Sequence, residues 1–123
     1  MEQRKQAAGT IALEAVDRFL TEIANGDSGG EQAATCFAKH LSHLSSGGLP
    51  AAAQDTWRQV SRVLRTPADK PIPEKVTLAM RSWPQSRVAE LISHIRDLHA
   101  ILEKVENDRL EDEIRDSIRH HYL

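Results

Sequence analysis

Cysteine is nearly missing from this chain: Cys36 is the single one in 123 residues, so no intrachain disulfide can form and stability must come from packing. A lone reduced thiol fits an intracellular protein, and the expected location is cytoplasmic. Aromatic residues are scarce at 4%, so the core has to be assembled from Leu, Ile, Val and Ala, with two Trp and two Phe as large fillers. No apolar run is long enough to span a membrane, and Met1-Glu2-Gln3-Arg4-Lys5-Gln6 leads into an amphipathic stretch rather than a secretory signal. Alternating β-branched runs bounded by turns are missing as well, which argues against a sheet. Neither a Walker loop nor a dinucleotide fingerprint occurs, and that leaves nucleotide hydrolysis without support.

What is present is helical periodicity. Ile11 or Ala12, Val16, Phe19, Leu20 and Ile23 recur at three- and four-residue spacing, which predicts a helix from about Gln3 to Asn25, stopped by Asn25-Gly26. A second helix is expected from Glu31, with Ala34, Phe37, Leu41 and Leu44 on its apolar face, until Ser45-Ser46-Gly47-Gly48 breaks the pattern. Pro50 suits the start of a third, whose stripe is Ala53, Trp57, Val60 and Leu64. The stretch 66–73 holds three of the five prolines and reads as an extended connector, followed by a short helix from Glu74 to about Ser82.

From Val88 onward, Leu91, Ile95, Leu98, Leu102 and Val105 alternate steps of three and four as in a heptad seam. The phase then slips by five residues to Leu110 before continuing through Ile114 and Ile118. Asp108 and Glu111 have capping-box spacing at the slip, which predicts a kink or break near Asn107-Asp108. The expectation is therefore an all-α, compact helical bundle of four to six helices. Residues 1–123 form one domain, ending in a long, kinked C-terminal helix.

Charge is unevenly placed although the net is only −2. Between residues 58 and 87, seven basic side chains (Arg58, Arg62, Arg65, Lys70, Lys75, Arg81 and Arg87) stand against two acidic ones. From residue 88, nine acidic side chains outweigh five basic ones. Arg58, Arg62 and Arg65 fall on one helix face, so these basic residues are candidates for gripping a nucleic-acid backbone through its phosphates. The alternative is that they pair with the acidic last helix or stand solvated. Trp57 and Trp83 lie on apolar stripes and are assigned to core packing before base stacking.

Three patterns carry possible chemistry. Cys36, His40 and His43, at i, i+4 and i+7, are candidate ligands for zinc or copper, set against the reading of a buried thiol beside two half-exposed imidazoles. No cofactor is expected. His94 and His99 have Glu90, Asp97 and Glu103 at helical spacing, a pattern that suits acid–base work only if a cleft closes around them. In the run Arg115-Asp116-Ser117-Ile118-Arg119-His120-His121-Tyr122, the Arg-x4-His spacing resembles the catalytic motif of HEPN-type ribonucleases, which are small helical proteins. That resemblance would make Arg115 and His120 RNA-cleaving residues assembled across a dimer.

The reading that absorbs most of these features is a non-enzymatic helical module that binds a protein partner or a second copy. Its candidate interface is the seam Val88, Leu91, Ile95, Leu98, Leu102 and Val105. Nucleic-acid binding through residues 58–87 is the alternative, with the ribonuclease as the enzyme-class option, and no membrane partner is expected.

Overall fold

The computed structural model describes the backbone of residues 2–26 and 29–122, and the side chains of residues 9–26 and 29–118. Within these, five α-helices follow one another: α1 (Glu2–Asn25), α2 (Gly30–His40), α3 (Ala51–Leu64), α4 (Glu74–Met80) and α5 (Gln85–Tyr122), with a 3₁₀ turn at Ser46–Gly48. No strand occurs among the described residues. The all-α bundle expected from the sequence is the observed fold.

The apolar stripes converge on one core. Val16, Phe19 and Ile23 of α1, Phe37 and Leu41 at the end of α2, Trp57, Val60 and Leu64 of α3, Met80 of α4 and Val88, Leu91, Ile95, Leu98 and Leu102 of α5 are all buried. With so few aromatics, the large ones take central places: Phe19 and Phe37 meet edge to face at 6.0 Å. α5 packs against both α1 and α3. Its direction relative to α1 is antiparallel, since Thr10 reaches Glu106 and Asp17 reaches His99.

Two helix ends have specific causes. The apolar pattern of the second helix runs to Leu44, but α2 stops at His40 because Ser42 is drawn away from the helical path. The Ser42 hydroxyl donates to the Ala38 carbonyl at 2.8 Å, and the Ser42 carbonyl accepts the Ile72 N–H at 2.8 Å. α3 ends in a Schellman closure, with Arg65 N–H donating to Arg62 and Thr66 N–H donating to Ser61. Arg65 takes the left-handed position usually given to glycine, at φ 58° and ψ 49°.

The proline-rich connector forms no helix, but it turns and bends through residues 68–70 instead of running extended throughout, and it is stitched down at both ends. Ala68 O accepts from Ser46 N–H at 2.8 Å and from the buried Trp57 indole Nε1 at 3.1 Å. Buried Ile72 fixes the far end. At Gly30 a side chain has no room: a Cβ would sit 2.7 Å from the Met80 carbonyl and 2.9 Å from that of Arg81. The first turn of α2 therefore approaches the end of α4 more closely than any other residue type permits.

α5 corrects the expected kink. The helix runs through Asn107 and Asp108 without interruption and is about 57 Å long. Its continuity is backed by i, i+3 and i, i+4 ion pairs on both sides of the supposed break: Lys104–Asp108 at 3.3 Å, Arg109–Glu113 at 2.8 Å, Arg109–Glu106, and Arg115–Asp112 at 3.4 Å.

Candidate functional site

The heptad seam faces inward. Val88, Leu91, Ile95, Leu98 and Leu102 are fully buried against the chain's own α1 and α3, and Val105 is half-buried. The interface expected there is consumed by the core of a single chain, because three other helices supply the apolar faces that a partner would have offered.

Beyond Val105 the inward face of α5 changes character. Glu106 and Arg109 take the core-facing positions, with Arg109 bonded to Glu106 and Glu113, and the Thr10 hydroxyl donating to Glu106 at 3.4 Å. The Arg109 guanidinium holds the Glu106 carboxyl below its ordinary range, and the carboxyl in turn raises Arg109. The apolar residues that follow lie elsewhere on the helix. Five residues separate Val105 from Leu110, which rotates the stripe by roughly 140° away from the core. Leu110, Ile114 and Ile118 are consequently 41%, 60% and 52% exposed, in one row spaced by four. This stripe was legible as the five-residue slip; its outward direction is what the structure adds.

The basic residues are sorted by the fold. Arg62, Arg65 and Arg87 line one open groove of about 700 Å³ between α3 and α5, together with Gln59, Ser86 and His94. Arg87 is held in place from two sides: its guanidinium lies 4.0 Å over the Trp83 ring, and Nη2 donates to the Val63 carbonyl at 2.7 Å. Arg58, one turn back on α3, is paired with Asp55. Lys70 is exposed on the connector and Lys75 on α4, while Arg81 borders a different hollow between α2 and α4. Ser86 and Gln59 were not singled out from the sequence, since only the packing of α3 on α5 brings them to the arginines.

Cys36 and His40 do meet, but around a carboxylate of α1. Glu22 Oε1 lies 3.0 Å from both Lys39 Nζ and His40 Nε2, and the Cys36 thiol donates to Glu22 Oε2 at 3.4 Å. The His40 ring nitrogen is buried beside the Glu22 carboxylate. The imidazole of His40, the ammonium of Lys39 and the thiol of Cys36 together hold Glu22 at about 2. Burial and the Glu22 hydrogen bond push Cys36 up to about 11, the direction of an inert thiol. His43 lies past the end of α2 and is exposed, so the expected three-residue face does not form. No group of three or more ligating side chains placed to hold a metal ion occurs among the described residues.

His94 and His99 are also separated. His94 borders the arginine groove, whereas His99 Nε2 sits 3.2 Å from Asp17 Oδ1 on α1. Arg115 is exposed and donates to Asp112; the His120 side chain lies outside the described residues. No described helix is long and apolar enough to cross a membrane. No protein-family model, curated protein or solved structure matches this chain.

Proposed function

We propose that this chain is a non-enzymatic helical assembly module that pairs with a second copy of itself through the C-terminal half of α5. The observation that carries the reading is the exposed row Leu110, Ile114 and Ile118, turned away from a core that is already complete without it. A contiguous apolar row on an otherwise charged helix loses solvent contact most simply against a similar row. Flanking charge selects the orientation. In an antiparallel pair centred on Ile114, like flanks meet, so Arg115 of one copy faces Glu111 of the other, and this happens twice. A parallel pair instead turns Glu111 toward the flank that carries Glu106 and Glu113.

Three apolar side chains per copy make a patch well short of the roughly 1,200 Å² at which stable interfaces begin, so the pair is reversible and weak. Its geometry is tested by cross-linking. With Ile114→Cys on the two-fold axis, mild oxidation yields a disulfide dimer, while Ala100→Cys, exposed on another face, does not; native Cys36 is buried and silent. Equal cross-linking by both variants, or by neither, overturns the proposal.

A further inference from the structure

A second surface stands apart from the assembly helix. Arg62, Arg65 and Arg87 bring three guanidinium groups to one groove, and Glu90 is the single carboxylate among its lining residues. Among the described residues none of these three arginines is in an ion pair, although Arg58 on the same helix and Arg109 and Arg115 farther along α5 are paired with carboxylates. Their charge is thus left open toward the groove.

The last carbonyls of α3 beside the groove are also occupied: Arg65 N–H, Thr66 N–H and Arg87 Nη2 donate to the carbonyls of Arg62, Ser61 and Val63 respectively. Facing them is the first turn of α5, with the Ser86 hydroxyl on the groove wall. Arg87 is immobilised by Trp83 and Val63. Arg65 holds the left-handed position that closes α3, a conformation uncommon for a residue with a Cβ. No Trp, Tyr or Phe ring lines the groove, so it lacks the broad stacking platform that single-strand binders offer to bases.

We infer that this groove binds consecutive phosphate groups, those of a nucleic-acid backbone or of a polyphosphate, through Arg62, Arg65 and Arg87, without regard to base sequence. Planar guanidinium groups match phosphate oxygens in pairs, and a volume of this size accommodates two or three phosphates rather than a single small anion. The inference is independent of the dimer, because the groove is built within one chain.

The test is fluorescence anisotropy of labelled single-stranded homopolymers, one RNA and one DNA, with inorganic tripolyphosphate as competitor, titrated with the full chain across a salt series. The expected result is binding of both oligonucleotides alike, competed by tripolyphosphate, with affinity falling as salt rises at a log–log slope of roughly −2 for three contacts. Arg65→Gly reduces that slope by roughly 0.7 while raising thermal stability, since glycine suits the left-handed position; Lys75→Gln changes neither. Binding of tripolyphosphate alone, read by isothermal titration calorimetry and lost in Arg62→Gln, assigns the groove to a small polyphosphate. Absence of binding to all three probes at low salt, or binding that survives Arg62→Gln combined with Arg65→Gly, overturns the inference.

Discussion

Trp57 ties the connector to the core, and replacing it separates the two contributions. It is the largest fully buried side chain, and its indole N–H donates to the Ala68 carbonyl at 3.1 Å. Trp57→Ala opens a cavity at the centre of α3, which by analogy with other large-to-small core changes costs about 3–5 kcal/mol. The Ala68 carbonyl keeps the Ser46 N–H at 2.8 Å, so no orphaned acceptor adds to that figure. Trp57→Phe retains a buried ring and loses mainly the hydrogen bond, at about 1–2 kcal/mol. Urea unfolding followed by helical circular dichroism measures both. For a chain of this size, Trp57→Ala lowers the midpoint by roughly 2 M and Trp57→Phe by less than half as much. A loss below about 1 kcal/mol for Trp57→Ala refutes the packing described here and returns Trp57 to the surface chemistry that its ring could serve.

Gly30→Ala destabilises the fold by about 1–3 kcal/mol in the same assay, although alanine is the better helix former by about 1 kcal/mol, because the added Cβ collides with the Met80 and Arg81 carbonyls. The Glu22 cluster shapes the acid limb of the stability curve. Glu22 falls from 4.5 to about 2 on folding, so its contribution is complete above pH 4.5 and is lost as pH drops toward 2. Glu22→Gln flattens that interval in pH-dependent thermal melts. Cys36 acts at the other end: the folded thiol stays protonated to about 11 while the unfolded one ionises near 9, so stability declines between those values. Cys36→Ala removes the decline.

Much of the fold was legible because local periodicity and tertiary packing agree. Val16, Phe19 and Ile23, then Trp57, Val60 and Leu64, then Val88, Leu91, Ile95, Leu98 and Leu102 repeat at helical spacing and all end buried. Disagreement arose where weak local signals competed with longer-range contacts. Asp108 and Glu111 have the spacing of a cap, yet the ion pairs of Lys104, Arg109 and Arg115 continue the helix through them. Leu41 and Leu44 keep helical phase, yet the tie from Ile72 to Ser42 ends α2 at His40. The seam was visible as an apolar stripe, but a stripe does not say whether its cover comes from the same chain. The arginine groove needed the packing of α3 on α5, which no spacing within one helix encodes.

Sedimentation equilibrium of the full chain over a wide concentration range tests the assembly reading most directly, run in parallel on Ile114→Glu. The account predicts a reversible monomer–dimer equilibrium for the native chain and a monomer at every concentration for the variant, with unchanged helical content because Ile114 is exposed and outside the buried core. A native chain that stays monomeric throughout, or a dimer that Ile114→Glu leaves intact, would contradict it.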